Sequence, residues 1–159
     1  LSNPTINTII VGLAEAIGAD SGIAEWVADH YGDDATHHVH IGIDYDHPPV
    51  PQEDGPIIEI ATGKRRRDLD ARCQVHQVQL GTLVYSTGYT TGTDSNVHIS
   101  TGVGWVNDLA VMVEHAAVKY FHDNHILWHT SDGLPDSSGG NTYRAVWTVD
   151  VSVRDVIVY

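Results

Sequence analysis

Apolar positions along the chain follow two different periods. Over residues 4–31 they recur at helical spacing: Ile6, Ile9, Ile10, Leu13 and Ile17, then, after a break at Gly18, Ile23, Trp26 and Val27. Asn3 and Pro4 fit a cap and first helical position, Asp20 or Ser21 fits the cap of the continuation, and Gly32 fits its end. The spacing therefore predicts one helix or a broken helix pair. A second helical period runs from about Trp105 to His122. Trp105, Leu109, Val113, Ala116 and Tyr120 share one face, and Val106, Ala110, Ala117 and Phe121 widen it. Asp108, His115, Lys119 and His122 fall toward the other side.

Elsewhere the period is two. Val39, Ile41 and Ile43 alternate with His38, His40, Gly42 and Asp44, the pattern of a half-buried strand. "DHPPVPQEDGP" reads as a proline-rich loop, "PIIEIATG" as a strand and "GKRRRDLDA" as a charged turn. In "RCQVHQVQLGTLVYS" the apolar phase moves from Cys73 and Val75 to Val78, Leu80 and Val84, which predicts a bulge near His76 to Val78. Residues 86–104 are rich in Gly, Ser and Thr and show no period, so a loop is expected. "HILWHT" reads as a short strand, followed by an exposed turn region in "SDGLPDSSGGN". Finally "TYRAVWTVDVSVRDVIVY" places Tyr143, Ala145, Trp147, Val149, Val151 and Val153 on one side. The order helix, strand, strand, strand, helix, strand, strand predicts an α+β fold. Its largely antiparallel sheet is packed by two amphipathic helices, in one domain spanning residues 1–159.

Charge narrows the range of functions. The formal net charge is −13, which opposes general binding to nucleic acid. Glu15, Glu25, Glu53, Glu59 and Glu114 are the only glutamates among 21 acidic residues, and Lys64 and Lys119 the only lysines among eight basic ones. Such Asp-rich, Lys-poor composition resembles proteins of halophilic hosts, where molar salt shortens the Debye length to about 3 Å and makes dense like charge tolerable. No run approaches the roughly 20 apolar residues of a membrane span, so no membrane partner is expected. Cys73 is the sole cysteine, which rules out an intrachain disulfide; its strand context favours a structural thiol over a nucleophile.

Histidines supply the candidate chemistry. The stretch Thr36–Pro49 holds four histidines and two aspartates. His38 and His40 project from one strand face roughly 6–7 Å apart, with Asp44 further along it, a spacing at which side chains can converge on zinc, manganese or iron. The same alternation also makes them the ordinary polar face of a strand, and this second reading is preferred, with no metal or other cofactor expected. His122 and His125 in "HDNH" suit a helix C-terminus. His98–Ser100 and His129–Ser131 each read H-x-S, similar to the paired motifs of two-histidine phosphoesterases, although the spacing is short for that family. HExxH, G-x-S-x-G and P-loop patterns are absent. The run Lys64, Arg65, Arg66 and Arg67 holds half of the basic side chains and is a candidate protein interface, as are His38 and His40.

Taken as a whole, the order of elements resembles that of tail terminator (tail completion) proteins of long-tailed viruses. An N-terminal amphipathic helix leads into a proline-interrupted meander containing a basic hairpin turn, then to "WVNDLAVMVEHAAVKYF" and closing strands. The resemblance covers nearly the whole chain and lies in architecture and length rather than in a catalytic motif. It implies a non-enzymatic virion protein at the head–tail junction, assembled in the host cytoplasm. Such a protein forms a homo-oligomeric, hexameric ring on the tail tube protein, ends tail polymerisation and meets the head connector or neck protein. Genomic DNA would pass through the channel without sequence-specific binding. The alternatives are a metal-dependent or two-histidine phosphoesterase-like hydrolase, and another neck or tail-tube subunit.

Overall fold

The N-terminal helical period resolves into two helices because Gly18 is followed by a second cap. The computed structural model describes residues 5–42, 46, 50–51, 55–68, 72–94, 96–131 and 136–154. Helix α1 spans Ile6–Gly18 and α2 spans Ser21–Tyr31, bent by 49° at the break. Thr5 caps α1, its hydroxyl accepting from the Thr8 N–H at 3.3 Å. The expected cap at Asn3 and Pro4 lies outside the described residues. Asp20 caps α2, accepting from the Ile23 N–H at 2.9 Å, and Gly32 ends it with φ of 106°, a value that side chains rarely tolerate. By length and composition only the bent pair together, and no single helix, matches a membrane span among the described residues. Its apolar residues Ile9, Leu13, Ile17, Ile23 and Val27 are spent on the core.

Eight strands and one further helix follow among the described residues: β1 (His38–Ile41), β2 (Ile57–Asp68), β3 (Cys73–Tyr85), β4 (Tyr89–Thr91), β5 (His98–Ser100), α3 (Thr101–Asp123), β6 (Leu127–Thr130), β7 (Ser137–Gly139) and β8 (Thr142–Arg154). The main sheet has the order β1-β2-β3-β8-β6, with β7 also pairing β8. Only β1 with β2 is parallel. The fold is therefore α+β with a mostly antiparallel mixed sheet, as the order of periods predicts.

Five sequence expectations change on the strands, the first at β7, which pairs Ser137–Gly139 with β8 inside the expected turn region. The basic run is not a turn: Arg65, Arg66 and Arg67 are ladder positions on β2, opposite His76, Val75 and Gln74 of β3. The bulge sits on that same strand, because the register shifts between Thr62 and Arg65 while Val78 and His76 face them two residues apart. Gly63 and Lys64 thus oppose Gln77, and the irregularity falls across from the predicted place. Residues 86–104 are not all loop, since β4 and β5 pair as a small separate sheet and α3 begins at Thr101. Their strands carry exposed residues throughout except Ser100, so no buried alternation marks them. Ile41, expected in the core, is 52% exposed, because it sits at the end of an edge strand.

The core forms between the three helices and one face of the sheet. On β3 the even residues His76, Val78, Leu80, Thr82 and Val84 are buried there, facing Val149 and Val151 of β8. From α3 come Val106, Leu109, Val113, Ala116, Ala117 and Phe121, so Leu109, Val113 and Ala116 of the predicted face are buried and the stripe leans toward the Val106–Phe121 side. Trp105 and Tyr120 instead pack at its margin, Trp105 edge-on to Trp26 with ring centroids 6.2 Å apart.

Gly102 brings the start of α3 against Tyr143, whose ring occupies the space a Cβ would need. Replacing Gly102 with alanine should lower unfolding free energy by about 1–3 kcal/mol through overpacking. Phe121 is fully buried, and Phe121→Ala should cost about 3–5 kcal/mol. Denaturant unfolding at fixed salt reads both, and a loss under 1 kcal/mol for Phe121→Ala would place it outside the core.

Candidate functional site

Odd positions of β3 and even positions of β8 turn away from the helices and build a polar outer face. The ladder sets Gln77 opposite Asp150, Gln79 opposite Thr148 and Gly81 opposite Val146. His129 of β6 continues the row beside Asp150. Arg66 reaches the same carboxylate from β2: Asp150 Oδ2 lies 3.4 Å from Arg66 Nη1 and 3.4 Å from His129 Nε2. Asp150 is nearly buried while Arg66 and His129 are well exposed, so two surface side chains cover a carboxylate set in a central strand. Ion pairs with exposed partners are worth at most about 1 kcal/mol each, so this arrangement orients side chains more than it stabilises the fold.

Around this junction a cleft of about 540 Å³ opens, lined by Lys64, Arg65 and Arg66 of β2, Gln77 of β3, His129, Thr130 and Ser131 at the end of β6, and Asp150. The bulge at Gly63 and Lys64 puts adjacent basic side chains of one strand into it. At its margin the hydroxyls of Ser131 and Thr148 are buried with no hydrogen-bond partner. The two residues adjoin, with the Ser131 N–H donating to the Thr148 carbonyl at 3.2 Å.

The second outer-face cluster involves the histidines. His38 and His40 lie on β1 with His40 in register with Glu59 of β2. Glu59 Oε2 is 3.7 Å from Arg144 Nη2 of β8, a contact that crosses β3 at Gly81, where no side chain stands between them. Val39, between the histidines, packs toward the core, so the outward reading of His38 and His40 holds. Asp44 lies outside the described residues. Among the described residues no three His, Cys, Asp or Glu side chains cluster closely enough to hold a metal ion. His37 is engaged elsewhere, its Nε2–H donating to the Ile17 carbonyl at 2.9 Å.

The two H-x-S segments are not brought onto one sheet. His98 is on β5 in the small sheet, hydrogen-bonded with the Tyr89 hydroxyl, whereas His129 and Ser131 belong to the main sheet and the basic cleft. His122 and His125 close α3 in solvent, beside the exposed Lys119–Asp123 pair at 2.6 Å. Cys73 is half-buried at the start of β3. Asp150 belongs to no motif, and its signal in the sequence is an aspartate inside the β-branched run "VDVSV", where it is unfavourable for a strand.

Comparison of the chain with protein-family models and with curated proteins finds no match. The functional reading therefore stands on the geometry.

His76 adds a pH response at this end of the sheet. Burial, and secondarily the Arg65 charge across the ladder, lower its pKa from the usual 6.5. Unfolded chains then bind this proton more readily than folded ones, so the contribution is complete above about pH 6.5 and is lost as pH falls below it. Melting temperature should drop between pH 7 and pH 5 more steeply in the native protein than in His76→Gln. Parallel pH profiles would remove His76 from this role.

Proposed function

We propose that this chain is a structural ring subunit of the tail-terminator type, capping a tail tube and presenting a surface to a head connector. One observation carries the reading: the main sheet has two unlike open edges at its opposite ends. Among the described residues β1 pairs only with β2, and β6 only with β8. Each edge strand is four residues long and each shows a large exposed apolar side chain, Ile41 at 52% and Leu127 at 74%. Open edges with exposed apolar side chains invite pairing by another chain.

Strand directions favour a head-to-tail contact. Following the order from β2 through β3 and β8 to β6, β6 runs opposite to β1. Placing β6 of one copy beside β1 of the next thus continues the sheet in antiparallel fashion. A contact between two different patches is heterologous, and it closes into a ring where the rotation between neighbours divides a full turn. His38 and His40 would fall in this contact on one side, and the cleft with Lys64, Arg65 and Arg66 would approach it on the other. In molar salt the −13 charge of each copy is screened enough for neighbours to approach.

The test is the mass of the purified protein in molar KCl, alone and with tail tube, followed by particle imaging. The reading predicts closed rings of one size and their loss in Leu127→Asp, with the melting temperature within a few degrees of native because Leu127 is exposed. Monomers in both preparations would contradict it, and open cylinders would point instead to a tail-tube subunit.

A further inference from the structure

We infer that the cleft between β2 and β6 is a binding site for a phosphate group, free or carried by a small monoester. Three of the chain's eight Lys and Arg side chains line it, Lys64, Arg65 and Arg66, against one carboxylate, Asp150. In a molecule with net charge −13 this is a local reversal of sign, and a cleft with low-dielectric walls concentrates such a field.

The donors are also of the right kind. Asp150 engages Arg66 through Nη1 alone, at 3.4 Å, and a guanidinium carries five N–H donors in a rigid fork. The carboxylate therefore holds Arg66 in place and leaves donors directed elsewhere, which is how planar guanidinium groups meet phosphate oxygens. Gln77 adds a neutral amide, and Ser131 a hydroxyl.

Two hydroxyls beside the cleft stand without partners. Ser131 lines the cleft, yet its Oγ is buried without a partner, and so is Oγ1 of the adjoining Thr148, a residue 97% removed from solvent. A buried polar atom left unpaired costs about 1–3 kcal/mol, so such atoms are normally satisfied by water or by a ligand. Ser131 lines the cleft, so a turn of its side chain would bring the hydroxyl from its buried position toward a phosphate oxygen held by Arg66. At about 540 Å³ the cleft also exceeds what one phosphate fills, leaving room for the rest of a small monoester.

This inference does not rest on the ring reading, because binding is read per chain whatever the assembly. Inorganic phosphate and glycerol phosphate are titrated calorimetrically into the full chain at constant ionic strength. One phosphate per chain is expected, weakened roughly tenfold by Arg66→Gln and several-fold by Ser131→Ala, in line with loss of a charged and a neutral hydrogen bond. Ser131→Ala removes only an unpartnered hydroxyl, so its fold is preserved, and Lys119→Gln on α3 should bind like the native chain. Tighter binding of glycerol phosphate than of phosphate would identify a monoester site, and equal binding a site for the phosphate group alone. Absence of binding, or binding indifferent to both cleft substitutions, would overturn the assignment. Capture of a DNA duplex without binding of either small phosphate would overturn it in favour of a nucleic-acid surface.

Discussion

The structure depends on one ladder, the unbroken pairing of β3 with β8 from Cys73–Arg154 to Tyr85–Thr142. Side chains alternate strictly along paired strands, so this register decides the role of every residue in the sheet's centre. One parity gives Val78, Leu80, Val149 and Val151 to the helices. The other gives Gln77, Gln79, Thr148 and Asp150 to the outer face. A slip by one residue would bury Asp150 among Leu109 and Phe121 and expose the valines, a loss no other contact offsets. The helices, the cleft and the two edges all take their positions from that parity.

Much of this was legible in the chain. The alternation over residues 142–154 is readable because Tyr143, Ala145, Val149 and Val151 all face the helices, and of its apolar side chains only Val146 lies on the other face. The helices were legible from spacing and from Asp20 and Gly32, residues whose side chain or backbone freedom does a local task. What failed had a common cause. Lys64 to Arg67 carry no apolar alternation, so a strand there is marked only by its partner β3. Likewise β4 and β5 expose nearly every residue, and their pairing leaves no hydrophobic trace. The bulge was visible as a phase change, but a phase change does not say which of two paired strands holds the extra residue.

The candidate site was half legible. The basic run and the histidines stand out by type, and the outward direction of His38 and His40 follows from the period. Their companions do not stand out: Asp150, Gln77 and Ser131 come from three separate segments and meet only through the ladder. Sequence also separates the histidine-rich stretch from the arginines, whereas the sheet places His38, His40 and Arg66 on one face, at β1 and across β2 to β6. The functional account thus rests less on any short motif than on a face with two open edges.

The claim that these edges meet is tested by cross-linking. In a Cys73→Ser background, cysteines are placed at His40 and Leu127, which share the outer face, together or singly, and the protein is oxidised in molar salt. Heterologous edge contact predicts a ladder of disulfide-linked species ending at one ring size for the double variant, and no ladder for either single variant. A double variant that stays monomeric on a denaturing gel would contradict the account.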